Sequence, residues 1–258
     1  MRVFPAFLVL FGLLAPLPSA AQSIAYEAVD LVDLDANSGP MGSERNLPAP
    51  WVSPATAATP QGIASYGPFR VLDERRAALI DVTDGRSLGQ FAAMLRDHPG
   101  IAVIDMIECP GTEDDLANLA LGRMIRQRGI STHVPEGGSV RSGGVELFLA
   151  GAHRFADPGA EFAVHSWQDD GGREASDYAA SAPENRRYVD YYQEMGMSPI
   201  EAEAFYAMTN SAPFDSAKWF GTGTMGLWVD LDPNAPTGTS TQAVALTLAS
   251  PSSNGARL

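Results

Sequence analysis

A serine, a histidine and a run of glycines give this sequence its chemistry. Ser142 lies in a glycine-rich stretch, residues 135–144, just before an apolar segment, 145–150, that reads as a helix. A helix N-terminus gathers orphan N–H groups and the positive end of the helix dipole, so a serine there stands where an oxyanion can be stabilised. The same place suits an ordinary capping serine, and spacing alone leaves both readings open. His165 closes a strand signal downstream and could take the serine proton as a general base, the alternative being a core histidine at a strand end. The four histidines, His98, His133, His153 and His165, show no metal-ligand spacing, and CxxC and HExxH are absent, so no metal and no cofactor is expected. Cys109 is the single cysteine, so burial rather than disulfides must hold the core.

Strands and helices alternate around these residues. Residues 78–82 and 101–107 read as strands, the second apolar enough for a sheet covered on both faces. Leu88, Phe91 and Leu95 give 87–97 a helical spacing. Pro110-Gly111 ends the second strand, and Thr112 is expected to cap a helix carrying Leu116, Leu119, Met124 and Ile125, stopped by Gly129 before a strand at 130–134. Two more helices are expected at 183–195 and 199–208, with Tyr188, Tyr191 and Tyr192 as a packing face. The rhythm predicts an α/β fold with a mostly parallel β-sheet and covering helices. Ligands collect at the carboxyl ends of such strands, which points to the loops at 108–112 and 135–144. Ser139, in the second loop, is not expected to be activated.

An α/β-hydrolase elbow needs G-x-S-x-G, and Val140 stands where the first glycine should be; the one aspartate between Ser142 and His165 to serve as its acid is Asp157. The segment Ser142-Gly143-Gly144-Val145-Glu146-Leu147-Phe148-Leu149-Ala150-Gly151-Ala152-His153-Arg154-Phe155, continued to Ala163-Val164-His165, fits another pattern. It resembles the nucleophile helix and histidine strand of the ClpP-like serine peptidases, within the ClpP/crotonase superfamily, and is closest to the exported bacterial members. The likeness covers about residues 77–230. It implies a ClpP/crotonase-like fold, Ser142 as nucleophile and His165 as base. Ile107-Glu108-Cys109-Pro110-Gly111 resembles the family's oxyanion loop, so Gly111 and Gly143 are implied as the two oxyanion donors. His153 falls in a variable turn and is read as surface.

The third catalytic member is implied in the segment 209–215, where Asp215 is the only carboxylate. Asn210 as orienter, or no third residue at all, are the alternatives. Cys109 and Thr112 depart from the family's serine and second glycine, and Glu113, Asp114 and Asp115 add carboxylates. With Glu146 they would repel an anionic transition state, which points to a weak site or a cationic substrate.

Arg2, the apolar run 3–17 and Ser19-Ala20-Ala21 read as a cleavable secretory signal, 1–21, cut before Gln22. Residues 22–65 are a Pro/Ala-rich linker, 66–232 the ClpP-like α/β domain and 233–258 a low-complexity tail. Nothing after the signal is apolar enough to span a membrane. A net charge of −14 without basic clusters argues against nucleic acid. The expected protein is a periplasmic or secreted serine hydrolase acting on a peptide or acyl substrate, and the family's rings imply a homo-oligomer. A catalytically idle peptide- or partner-binding module is the other reading. Coenzyme A chemistry of the crotonase kind is disfavoured by export.

Overall fold

Apolar runs of three or four residues, each followed by a break, recur along this chain, and the structure uses them in pairs across two sheets. The computed structural model describes residues 45–48 and 55–233, within a unit spanning 37–258. The signal reading of 1–21, most of the arm at 22–65 and nearly all of the tail lie outside the described residues.

In the first pair, strand β5 (Val103–Met106) belongs to one sheet and β6 (Glu108–Cys109) to the other. The same switch recurs from β7 (Ser131–Val134) to β8 (Ser139–Arg141) and from β9 (Arg154–Ala156) to β10 (Glu161–Val164). Gly137 and Gly159 take φ of +73° and +86° in the connecting turns, a conformation glycine reaches without steric cost. The first sheet runs β2 (Ala64–Tyr66), β3 (Phe69–Val71), β4 (Arg76–Leu79), β5, β7, β9, and the second runs β1 (Arg45–Pro48), β11 (Ser216–Gly221), β10, β8, β6. The pairings from β4 through β9 in the first sheet and from β6 through β10 in the second are parallel, whereas the outer pairings of β1, β2, β3 and β11 are antiparallel. The α/β class with mostly parallel strands and covering helices is as expected; the division into two sheets is not. Strands β1 and β2 begin inside the stretch expected to be linker.

The helix at Ser87–Asp97 (α1) buries Phe91, Met94 and Leu95, as its periodicity predicts. Helix α2 spans Asp115–Gln127 and is capped by Asp114, whose carboxylate accepts from Ala117 N at 3.0 Å. The expected cap, Thr112, instead bridges to Thr83, with its hydroxyl donating to the Thr83 carbonyl at 3.2 Å. Gly129 stops the chain after α2 at φ +65°. Helix α3 (Gly143–Leu149) is buried along its whole length. Helices α4 (Pro183–Glu194) and α5 (Pro199–Thr209) both begin with proline, and Ser198 and Glu201 form a capping box on α5. A final helix, α6, covers Thr222–Trp228.

Packing fixes these helices against one another. A Cβ at Gly122 would stand 1.9 Å from Tyr191 Oη, so only glycine lets α4 approach α2 this closely. Tyr191 then donates to the Glu146 carbonyl at 2.7 Å, tying α4 to α3. Phe162 in β10 lies between Phe148 at 5.0 Å and Phe220 at 5.9 Å, all fully or almost fully buried. Truncating it to alanine is expected to cost roughly 3–5 kcal/mol.

Candidate active site

The loop expected at 135–144 is partly strand. Residues Ser139–Arg141 pair in parallel with both β6 and β10, and Ser139 is buried rather than flexible. Its hydroxyl accepts from Arg141 Nη1 at 2.6 Å, while Arg141 also pairs with Glu108 of β6. A charged side chain this buried needs such partners, and the charged one, Glu108, lies far off in sequence. Likewise Glu108–Cys109, read as loop, forms β6.

Ser142 follows β8 directly, its N–H bonded to the Ala163 carbonyl of β10 at 2.9 Å. Its backbone is at φ 48°, ψ −129°, and it is the single non-glycine residue with positive φ among the described residues. Such a conformation costs on the order of 1–3 kcal/mol and persists only where the surroundings impose it. Its hydroxyl makes no capping hydrogen bond to α3, so the ordinary capping role is not taken up.

Gly111 and Gly143 flank this serine. A Cβ on Gly111, at φ +131°, would stand 3.1 Å from Ser142 Cβ and 3.4 Å from its Oγ. A Cβ on Gly143 would stand 2.6 Å from Thr112 Cγ2, and the Gly143 N–H is at the first position of α3, without an intrahelical partner. Two buried residues that sequence reasoning missed join the glycines. Thr83 donates from N to the Gly111 carbonyl at 3.1 Å and from Oγ1 to Asn118 Oδ1 at 2.9 Å, and Asn118 Nδ2 donates to the Gly143 carbonyl at 2.7 Å. One polar relay thus holds both glycines.

His165 lies just beyond β10, edge-on to Phe214 with ring centroids 5.2 Å apart. Its Nδ1 is 2.8 Å from the Ser166 carbonyl; a carbonyl only accepts, so Nδ1 carries the hydrogen and Nε2 the lone pair. Burial is the main influence on the ring and lowers its pKa, which keeps the imidazole neutral. Ser166 is fixed in turn by its N–H to the Ala212 carbonyl at 2.8 Å.

Ser142, Gly143 and His165 line one cavity of about 200 Å³. Asp215 does not join them: it is exposed, and the imidazole is oriented by the backbone of Ser166. Asn210 lines the cavity but gives its amide to the Tyr206 carbonyl at 2.7 Å and to Thr209 Oγ1 at 3.1 Å. Segment order along the chain pointed to Asp215, but order cannot reveal which backbone carbonyl a ring nitrogen meets. Glu113, Asp115 and Glu146 also line the cavity. Burial raises the Glu146 pKa to about 7, although the Tyr192 hydroxyl, donating to Oε1 at 2.7 Å, works in the opposite direction.

A second histidine has acquired carboxylate partners. His133 of β7 places Nδ1 2.8 Å from Asp105 Oδ1, and Nε2 stands 3.2 Å from Asp157 Oδ2, within ion-pair reach but off the line of a hydrogen bond. Arg76 Nε donates to Asp105 Oδ2 at 3.0 Å. Burial alone would lower the His133 pKa, but Asp105 and Asp157 outweigh it and the pKa is raised. No group of three or more metal-binding side chains occurs among the described residues. His153 is exposed and 3.2 Å from Asp232.

No protein-family model matches this sequence, and neither does any curated protein sequence. Solved structures do resemble it. One is the membrane-bound stomatin-specific protease 1510-N, a mutant in complex with a substrate peptide, at 15% identity over 57% of this chain and 70% of that one, with a TM-score of 0.39. Another is a mutant of ClpP1 from Listeria monocytogenes, at 17% identity over 60% of this chain and 88% of that one, with a TM-score of 0.45.

Proposed function

We propose that this chain is an exported serine hydrolase that cleaves peptide or related acyl bonds through an acyl-enzyme on Ser142. The observation that carries this reading is a serine held at φ 48° on the wall of a cavity it shares with a neutral histidine. Ser142 Oγ attacks the substrate carbonyl while His165 Nε2 takes its proton. The N–H groups of Gly111 and Gly143 hold the developing oxyanion. His165 returns the proton to the leaving group, and water, activated by the same ring, releases the acyl product. The Ser166 carbonyl fixes the tautomer as a carboxylate would, but a neutral dipole stabilises the imidazolium less than a full charge does. Turnover is therefore expected to be slower than in a Ser-His-Asp triad.

Fluorophosphonate labelling of the purified protein, with the modified residue mapped by mass spectrometry, tests this directly. Ser142 alone should be modified, and Ser142→Ala should take up no probe. Wild-type protein that stays unlabelled at high probe concentration returns the chain to the idle binding-module reading, which the carboxylates of Glu113, Asp115 and Glu146 around the cavity favour. Export rests on the pattern at 1–21. The mature form should begin at Gln22, and intact Met1 in a membrane fraction would refute it.

A further inference from the structure

The cavity beside Ser142 has walls of two kinds. Trp167, Tyr188 and Tyr206 form an aromatic series, with Trp167 and Tyr188 stacked at 6.3 Å and 17°, and Tyr188 and Tyr206 at 6.0 Å and 24°. Glu146, Asp115 and Glu113 supply carboxylates, and among the described residues neither lysine nor arginine lines the space. Among the described residues none of these three carboxylates makes an ion pair. Glu146 is 8% exposed, held by the Tyr192 hydroxyl, and Asp115 accepts from the Tyr188 hydroxyl at 2.7 Å. Two tyrosines therefore fix two carboxylates in place, and among the described residues no cation forms an ion pair with them.

A buried carboxylate without a counter-charge is costly, and an incoming cation would relieve that cost. The aromatic faces add attraction for the same kind of ligand, because their quadrupoles favour positive charge. An apolar group could fill an aromatic cavity, but it would leave Glu146 uncompensated. We infer that the cavity selects a substrate carrying a positive charge next to its scissile acyl group, such as a lysyl, arginyl or other amine-bearing residue, with Glu146 as the principal counter-charge and Asp115 as the second. This selectivity rests on the reading of Ser142 as the nucleophile.

Two diphenyl phosphonate probes of equal length, one ending in an amine and one in a methyl group, separate the possibilities. The amine probe should modify Ser142 at least about tenfold faster, a difference worth about 1.4 kcal/mol. Added salt should shrink that ratio, and Glu146→Gln should bring it near unity. Asp115→Asn should reduce it less. Equal rates, or a faster methyl probe, in wild-type protein that still reacts with fluorophosphonate overturn the selectivity and leave the nucleophile standing. Absence of reaction with all three reagents overturns the nucleophile reading and the selectivity with it.

Discussion

His133 sits on a strand of the parallel core and His165 just beyond the end of another, and their surroundings drive them in opposite directions. His133 is clasped by Asp105 and Asp157 beside Arg76, and its pKa rises. His165 meets a backbone carbonyl and an aromatic edge, and its pKa falls. The carboxylate–histidine pair familiar from catalytic triads thus occurs at His133, among Asp105, Asp157 and Arg76, and not at the histidine that shares a cavity with Ser142. The place with the serine has a histidine kept neutral. Close carboxylates shift His133 toward its charged form, whereas burial shifts His165 toward the neutral form, whose lone pair a general base needs.

The largest expected effect sharpens this contrast. His165→Ala should slow modification of Ser142 by on the order of a thousandfold or more, whereas His133→Asn should leave the rate within about twofold and lower the melting temperature. Loss of labelling in both variants would erase the distinction. The wild-type rate should hold as pH falls through the ordinary histidine value of about 6.5, because burial places the His165 titration lower.

Next in size is Asp105→Asn, which leaves Arg76 and His133 without their shared carboxylate and should cost roughly 3–5 kcal/mol by urea unfolding near neutral pH. Asp105 is shifted down, so its contribution is complete above its unfolded value of 3.8 and is lost as pH falls through the lower folded value. His133 is shifted up, so its share is complete below 6.5 and is lost as pH rises through the folded value. The wild-type protein should therefore lose stability from this cluster at both extremes, and a flat profile would contradict the pairing.

Glu146→Gln should act the other way. Its carboxyl titrates near 7 in the fold against 4.5 in the unfolded chain, so ionising it opposes folding. The variant should gain up to about 3 kcal/mol at about pH 8 and nothing below about pH 4. Thermal unfolding at the two pH values measures the difference. The smallest effect belongs to Asp215→Asn, expected to change the labelling rate less than about twofold, since this exposed side chain does not orient the ring.

The sequence was readable where local pattern governs. The spacing of Leu88, Phe91 and Leu95 marked α1 to its ends, and the segment from Ser142 to His165 pointed to residues that the structure places around one cavity. It was unreadable where distant groups decide. Strand β8 is three residues long and ends in an arginine, and it takes its place by pairing with β6 and β10 while Glu108, far off in sequence, receives that arginine. Thr83 and Asn118 carry no signal as separate polar residues, yet they bond one another across the gap between Gly111 and Gly143. The Ser166 carbonyl is backbone, which every residue has, and only the fold says which one the ring meets.

The backbone of Ser142 also bears on descent. At φ 48° and ψ −129° a glycine would sit without the steric cost that serine bears, so, on the proposed reading of Ser142 as nucleophile, a copy of this gene released from chemistry would gain about 1–3 kcal/mol by mutating there. Drift should then write glycine at this position in lineages that have become binding proteins, while serine survives where the hydroxyl is used. On that reading a single codon becomes a record of which descendants would still catalyse.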